Sequence, residues 1–68
     1  MRKGLEIKLT VYQNQRIVIE NYHQLLDLNE ELIRVDIYTI VGKFLKLTQM
    51  DNYMIEVIGS ISRVLIED

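Results

Sequence analysis

The stretch NYHQLLDLNEELIRVDIYTIVG, Asn21 to Gly42, is the longest patterned run in the chain and decides the fold. Ile33, Val35 and Ile37 alternate with polar residues, which is the period of two expected for a strand with one buried face. The preceding part instead spaces an apolar stripe as a helix would, at Tyr22, Leu25, Leu26, Leu32 and Ile33. The pattern alone leaves residues 21–34 as either a helix or a strand, a turn and a second strand.

The residue types of the whole chain favour strands. Ile, Val, Leu, Tyr and Thr dominate its 68 residues, and neither Ala nor Pro occurs. Ala is the best helix former, so an all-helical domain without it would be unusual. β-branched residues lose side-chain freedom in helices and pack well on a pleated surface. We therefore expect an all-β fold.

Turn signals recur at short intervals on both sides of this stretch. Residues 5–12 and 16–20 predict two strands joined by a hairpin turn through Gln13–Gln15. If residues 24–28 form a strand, a long strand follows from Leu32 through Thr39 to Val41. The remaining predicted strands cover residues 44–47, 53–58 and 61–66. This rhythm predicts about six or seven short, mostly antiparallel strands in a small sandwich or rolled sheet.

Two glycines interrupt apolar runs. Gly42 follows the long strand, and Gly59 separates two of the later strands. A glycine in such a place usually marks a bulge or tight turn where a Cβ would not fit. Both are too isolated to form a phosphate-binding loop, so we assign them a structural role.

The totals describe one small domain, residues 1–68, whose own core is marginal at this size. No Cys is present to form a disulfide, so self-association or a partner would most naturally add stability. Lys plus Arg is 8 against 10 for Asp plus Glu, and the net charge of -2 argues against nucleic-acid binding by a broad basic surface. No apolar run reaches the roughly 20 residues that span a bilayer, and the first residues do not have the pattern expected of a signal peptide. We expect a soluble cytoplasmic domain that does not insert into the membrane directly.

No residue pattern points to catalysis, a metal or a cofactor. His23 is the only His and lies in a predicted turn, without a second ligand type at a suitable spacing. Asp27, Glu30 and Glu31 flank a polar turn, where a solvated surface is the simplest interpretation. Ser60 and Ser62 lack a nucleophile-elbow motif. We therefore predict a protein that is not an enzyme and needs no cofactor.

A surplus of apolar residues is the more informative feature. Val18, Ile58 and Leu65 are out of phase with their inward neighbours, and four tyrosines, Tyr38 among them, are spread along the chain. Tyr is favoured at interfaces because it buries a large area while its hydroxyl stays hydrated. We take Val18, Tyr38, Ile58 and Leu65 as candidate interface residues. The alternative is that both faces of the strands belong to the core.

Two stretches together resemble a known family. The first, IENYHQLLDLNEELIRV (residues 19–35), has an extended segment, a short apolar strand, a polar turn and a closing Ile-Arg-Val. The second has the pattern Ile40-x-Gly42, Leu45-x-Leu47 and Ile55-x-Val57-x-Gly59-x-Ile61-x-x-Val64-x-Ile66. In order and spacing, these motifs resemble the YabP/YqfC family of sporulation proteins from endospore-forming bacteria. The resemblance covers roughly residues 16–66.

The chain departs from the family pattern at three places. Gln24 stands where the family usually has Gly, so the turn before Leu25 can differ. Ile58 is an apolar residue where the usual Ile-Glu-Gly has a polar one. Residues 5–12 match only loosely.

The resemblance implies a β-rich fold and favours strands over a helix in residues 21–35. It further implies a non-enzymatic protein needed for spore formation. Genes of this family often lie beside one for a membrane protein, which implies a membrane-protein partner. We expect action by protein–protein interaction, with itself or with that partner. The alternative is a small ligand- or nucleic-acid-binding β domain that uses Arg16, Arg34, Lys43 and Lys46 as one basic face.

Overall fold

The computed structural model describes residues 6–67, which form six β-strands in one antiparallel sheet and contain no helix. The strand order across the sheet is β1-β2-β6-β5-β4-β3. The all-β prediction is confirmed. Within the same residues, no helix is long and apolar enough to cross a membrane. The strands are β1 (Lys8–Tyr12), β2 (Arg16–Glu20), β3 (Leu25–Leu28), β4 (Leu32–Val35), β5 (Tyr38–Met50) and β6 (Met54–Ile66).

The ambiguous stretch forms two strands, β3 and β4, and not a helix. The side chain of Asn29 sets the turn between them, because its Oδ1 accepts hydrogen bonds from the backbone N–H groups of Glu31 and Leu32, both at 2.8 Å. Short polar side chains of this kind stabilise turns at the expense of a helix. β4 then pairs with β5, so its backbone N–H and C=O groups have hydrogen-bond partners in a neighbouring strand. A helix would have satisfied these groups within its own residues.

The predicted long strand from Leu32 to Val41 is wrong, because the chain turns at Asp36 and Ile37. Val35 pairs with Tyr38 across this two-residue turn. Asp36 has a φ of 52°, in the left-handed region that Asp tolerates better than most residues. Ile37 continued the alternation in sequence, yet it lies exposed in the turn. The period-two pattern therefore ran through a turn without a break.

The later strands are fewer and longer than predicted. Residues 44–47 belong to β5, and residues 53–58 and 61–66 mostly form the single strand β6. The glycines interrupt the pattern without ending a strand, because both lie where the β5–β6 register shifts. Leu5, the predicted start of the first strand, lies outside the described residues.

The hairpin of β5 and β6 folds back on itself. Each strand has 13 residues, and a straight strand of that length would span about 43 Å. The segment 21–24 nevertheless reaches both ends: the Asn21 N–H donates to the Tyr53 carbonyl at one end, and the Asp36 N–H donates to the Gln24 carbonyl at the other. Three residue steps reach at most about 11 Å. The two ends of the hairpin are therefore close, and the hairpin is bent in its middle.

The bend depends on the two glycines. A Cβ at Gly42 would lie 2.1 Å from the backbone carbonyl oxygen of Ser60. Gly59 has a φ of +140°, and a Cβ there would lie 2.8 Å from the carbonyl oxygen of Phe44. Only glycine lets the two backbones approach so closely, and bulges of this kind turn a strand from one layer into another.

The bend divides the sheet into two halves that cover one another. The first half comprises β1, β2, the start of β6 and the end of β5. The second half comprises β3, β4, the start of β5 and the end of β6. Because residues 6–67 contain no helix that could cover the sheet, each half excludes water from the other. The buried cluster draws on both halves: Ile17, Ile19, Ile33, Val35, Ile40, Leu45, Ile55, Val57 and Ile61.

Two hairpin turns hydrogen-bond to the bend from opposite sides. In the β1–β2 turn, Gln13 and Asn14 have positive φ angles, as in a type I′ turn. The carbonyls of Asn14 and Gln15 accept hydrogen bonds from Ile61 and Gly59 of β6. On the other side, the carbonyls of Glu30 and Glu31 accept from Leu45 and Gly42 of β5. The bend thus keeps backbone partners although the β5–β6 ladder is interrupted there.

Gly42→Ala tests this arrangement. The added methyl group would meet the Ser60 carbonyl, so we expect the free energy of unfolding to fall by about 2–3 kcal/mol. Urea unfolding measures the change. The matched control is Ser62→Ala at an exposed position near the bend, expected to change it by less than about 0.5 kcal/mol. Equal stability of the two variants would contradict the steric argument.

Candidate functional site

The four residues expected at an interface do not form one patch. Val18 and Ile58 share the outer face of the first half, where Val18 pairs with Glu56 and Ile58 with Arg16. Leu65 lies on the outer face of the second half. Tyr38 lies on the inward face, since it pairs with the buried Val35. Val18 and Tyr38 are half-buried, whereas Ile58 and Leu65 are 36% and 41% exposed.

Polar contacts cover much of the outer face around Val18. The guanidinium of Arg16 lies 3.3 Å from the Glu56 carboxylate and 4.5 Å from the centre of the Tyr12 ring. On the other side of Glu56, the Thr48 hydroxyl donates to its Oε1 at 2.9 Å. These contacts make the middle of this face a poor apolar interface. Ile58 stands at its margin, beside the bend.

The bend carries an apolar surface that sequence reasoning did not single out. Phe44 is 76% exposed, the highest value among the large apolar side chains described. It lines one shallow concavity together with Ile58 and the charged residues Glu30 and Lys46. We call Phe44 and Ile58, with these two charged neighbours, the bend patch. The bulge breaks the period of two here: counted from Ile40, Phe44 would face inward, whereas counted from Leu45 and Leu47 it faces outward. The sequence alone therefore left the direction of Phe44 open.

Phe44 also holds a strained backbone. Its φ is 55°, in a region that bulky residues rarely occupy and that costs on the order of 1–2 kcal/mol. The exposed ring recovers little of this cost by burial. Stability therefore does not account for a phenylalanine at this position, and strain without a stabilising return is typical of functional sites.

His23 belongs to a clamp that joins segment 21–24 to the β4–β5 turn. Its backbone N–H and that of Gln24 each donate to the Asp36 carboxylate at 2.8 Å, and its Nδ1 lies 3.4 Å from Asp36 Oδ2. Tyr22 holds the other end, because its hydroxyl donates to the Asp51 carbonyl at 2.7 Å. These side chains close the open end of the folded hairpin.

Asp27, Glu30 and Glu31 are all exposed, in agreement with their interpretation as a solvated surface. The Asp27 carboxylate lies 3.4 Å from the Arg34 guanidinium, whereas Glu30 and Glu31 are exposed in the turn that contacts the bend. Among residues 6–67, no three His, Cys, Asp or Glu side chains are arranged to hold a metal ion. Every buried side-chain nitrogen and oxygen described has a hydrogen-bond partner.

The structure does not bring the four basic residues of the alternative function onto one face. Arg16 lies on the outer face of the first half beside Glu56. Arg34 lies on the outer face of the second half, 3.4 Å from Asp27 and 3.7 Å from Glu67. Lys43 and Lys46 lie at the bend between them. The two arginines are separated and each faces carboxylates.

Several strand edges are open. β1 and β3 are the outermost strands of the sheet. β2 pairs with β6 only over Met54–Ile58, and β4 pairs with β5 only over Tyr38–Val41. Beyond those pairings and the turn contacts at the bend, the ends of β5 and β6 have one side without a described strand. Open edges present unpaired N–H and C=O groups to which another chain can add a strand.

No family model matches the chain, and neither a curated protein nor a solved structure matches it.

Replacing Phe44 tests whether its backbone is strained. Phe44→Gly removes the Cβ that makes a positive φ unfavourable, whereas Phe44→Ala keeps it. We expect the glycine variant to unfold at a higher urea concentration, with a free energy of unfolding about 1 kcal/mol above that of the alanine variant. An alanine variant at least as stable as the glycine variant would show that the site is unstrained.

Proposed function

We propose that this chain is a non-enzymatic protein of the YabP/YqfC type that acts in endospore formation by binding other protein chains. The binding partner is a second copy of itself or a membrane protein. The protein would work in the cytoplasm of the sporulating cell and reach the membrane only through that partner. The family-like sequence pattern suggests the process, and the surface of the fold suggests the mode of action.

The bend patch is the observation that carries the proposal. It places a strained and mostly exposed aromatic side chain, Phe44, next to the exposed Ile58. Aromatic residues surrounded by a charged rim are the usual anchors of protein interfaces. Glu30 and Lys46 supply charges of both signs beside these apolar side chains, so a partner can be oriented as well as held.

The family-like motif around Gly59 has a structural role that explains most of its positions. Ile55, Val57 and Ile61 are buried in the core, and Gly59 lies at the bend. Ile58 is the exception, because it is exposed and apolar where the family pattern has a polar residue. Ile58 also lines one concavity with the exposed Phe44, and adjoining exposed apolar side chains support a binding role.

Ile58→Glu tests the bend patch. Because the side chain is on the outer face, we expect the free energy of unfolding to change by less than about 1 kcal/mol. Binding should weaken by about tenfold or more, as for the loss of an interface anchor. Bacterial two-hybrid assays against the membrane protein encoded beside the gene would measure binding. Tyr53→Glu is the matched control, since Tyr53 is 61% exposed at the opposite end of the hairpin.

Spore counts test the process. Deleting the gene should lower the yield of heat-resistant spores; the wild-type chain and Tyr53→Glu should restore it, and Ile58→Glu should not. An unchanged spore yield in the deletion strain would reject the sporulation role. If Ile58→Glu unfolds, Ile58 belongs to the core, and the bend patch is rejected as the binding surface.

A further inference from the structure

The end of β6 forms an open edge whose hydrogen-bonding direction can be determined. Leu65 pairs with Thr39 of β5, and the Glu67 N–H donates to the Ile37 carbonyl on the same side. Alternate residues of a strand direct their backbone groups to opposite sides. The N–H and C=O groups of Val64 and Ile66 therefore point away from β5. Within residues 6–67, no strand pairs with them.

This edge, Arg63 to Glu67, lacks the features that protect two of the other open edges, β3 and the end of β5. β3 is four residues long and bulged, and the end of β5 has a register shift beside Leu47. Bulges and short lengths discourage pairing with another chain. The β6 edge has a regular register with β5 from Arg63 to Ile66, and its last two apolar side chains, Leu65 and Ile66, are 41% and 66% exposed.

The sequence of the edge, Arg63-Val64-Leu65-Ile66-Glu67, is complementary to itself in the antiparallel direction. When two copies meet on a twofold axis at Leu65, the outward groups of Val64 face those of Ile66 in the second copy. Arg63 of each copy stands opposite Glu67 of the other, and the two Leu65 side chains meet. Opposite charges and apolar pairs directly across from each other stabilise such ladders.

We propose that a second copy of this chain pairs with the β6 edge, so that one antiparallel sheet continues through a twofold-symmetric dimer. The two outermost strands lack this complementarity when they pair about their own middle: on β1, a twofold axis at Thr10 sets Lys8 opposite Tyr12, and on β3, a twofold axis at Asp27 sets two carboxylates opposite each other. The dimer specifies the self-association included in the proposed function, and it uses a surface distinct from the bend patch.

The expected dimer is weak and depends on concentration. Five residues a side bury far less than the roughly 1,200 Å² of a standard interface. We expect a dissociation constant on the order of 0.1 mM at low salt. Sedimentation equilibrium of the whole chain from about 10 µM to 1 mM covers this range.

Charge reversal tests the register. Arg63→Glu sets two carboxylates opposite each other twice in every dimer, and Glu67→Arg does the same with two cations. We expect each single variant to raise the dissociation constant about tenfold at low salt, and less at high salt. The double variant restores opposite charges and should return the constant to within about threefold of the original. This recovery also separates the pairing from the contact of Glu67 with Arg34 in the same chain, at 3.7 Å.

Ile66→Pro tests the backbone contact. It removes an N–H group that points out of the molecule and leaves the Glu67 hydrogen bond to β5 in place. We expect a folded monomer at all concentrations, with circular dichroism unchanged. Lys8→Glu on the β1 edge is the control, and its dissociation constant should equal that of the wild type.

Three outcomes would overturn the dimer. The wild-type chain could stay monomeric up to about 1 mM, the top of the concentration range. The double variant could have a dissociation constant as high as that of the single variants, or Lys8→Glu could raise the constant as much as Arg63→Glu does. Each leaves the spore counts and the Ile58→Glu result to decide the proposed function separately. The two proposals can also separate in the other direction. If the variants change the dissociation constant as expected but deleting the gene leaves the spore yield unchanged, the dimer is supported and the sporulation role is rejected.

Discussion

The contact between the backbones of Gly42 and Ser60 is the constraint on which the fold depends. No side chain fits between them, because even a Cβ at Gly42 would lie 2.1 Å from the Ser60 carbonyl oxygen. Only when the two backbones are this close can a hairpin of two 13-residue strands turn back on itself and lay one half of its sheet over the other. Residues 6–67, which contain no helix, thereby form a two-layered core from one sheet.

The rest of the structure supports this bend. The carbonyls of two hairpin turns accept hydrogen bonds from the backbone N–H groups that the interrupted ladder leaves without partners. On the side away from the bend, segment 21–24 connects the two ends of the β5–β6 hairpin. Tyr22 holds the closed end, and Asp36 holds the open end. The buried cluster lies between the bend and segment 21–24, and it contains Ile, Val and Leu without a charged side chain. Packing and backbone hydrogen bonds therefore favour the same folded hairpin.

The bend also shapes the surface available for binding. The bulge that turns β5 leaves Phe44 at a positive φ with its ring in solvent, and it brings Ile58 beside that ring. Bending two long strands away from β2 and β4 uncovers part of each strand, which leaves the β6 edge open. The bend in the sheet thus produces both the buried core and the exposed binding surfaces. In our proposal, one surface serves another protein and the other serves a second copy.

The sequence by itself determined that the fold is all-β, placed β2, and marked Gly42 and Gly59 as points where a side chain would not fit, because these features follow from local residue preference and period. The tertiary structure decided the rest. The turn at Asp36 interrupts no apolar pattern, and only the pairing of Val35 with Tyr38 reveals it. Val18 and Ile58 share a face, whereas Tyr38 and Leu65 lie elsewhere, because strand register and the bend decide which residues of distant strands meet. The strain at Phe44 and the open side of β6 likewise exist only once the hairpin has folded over itself.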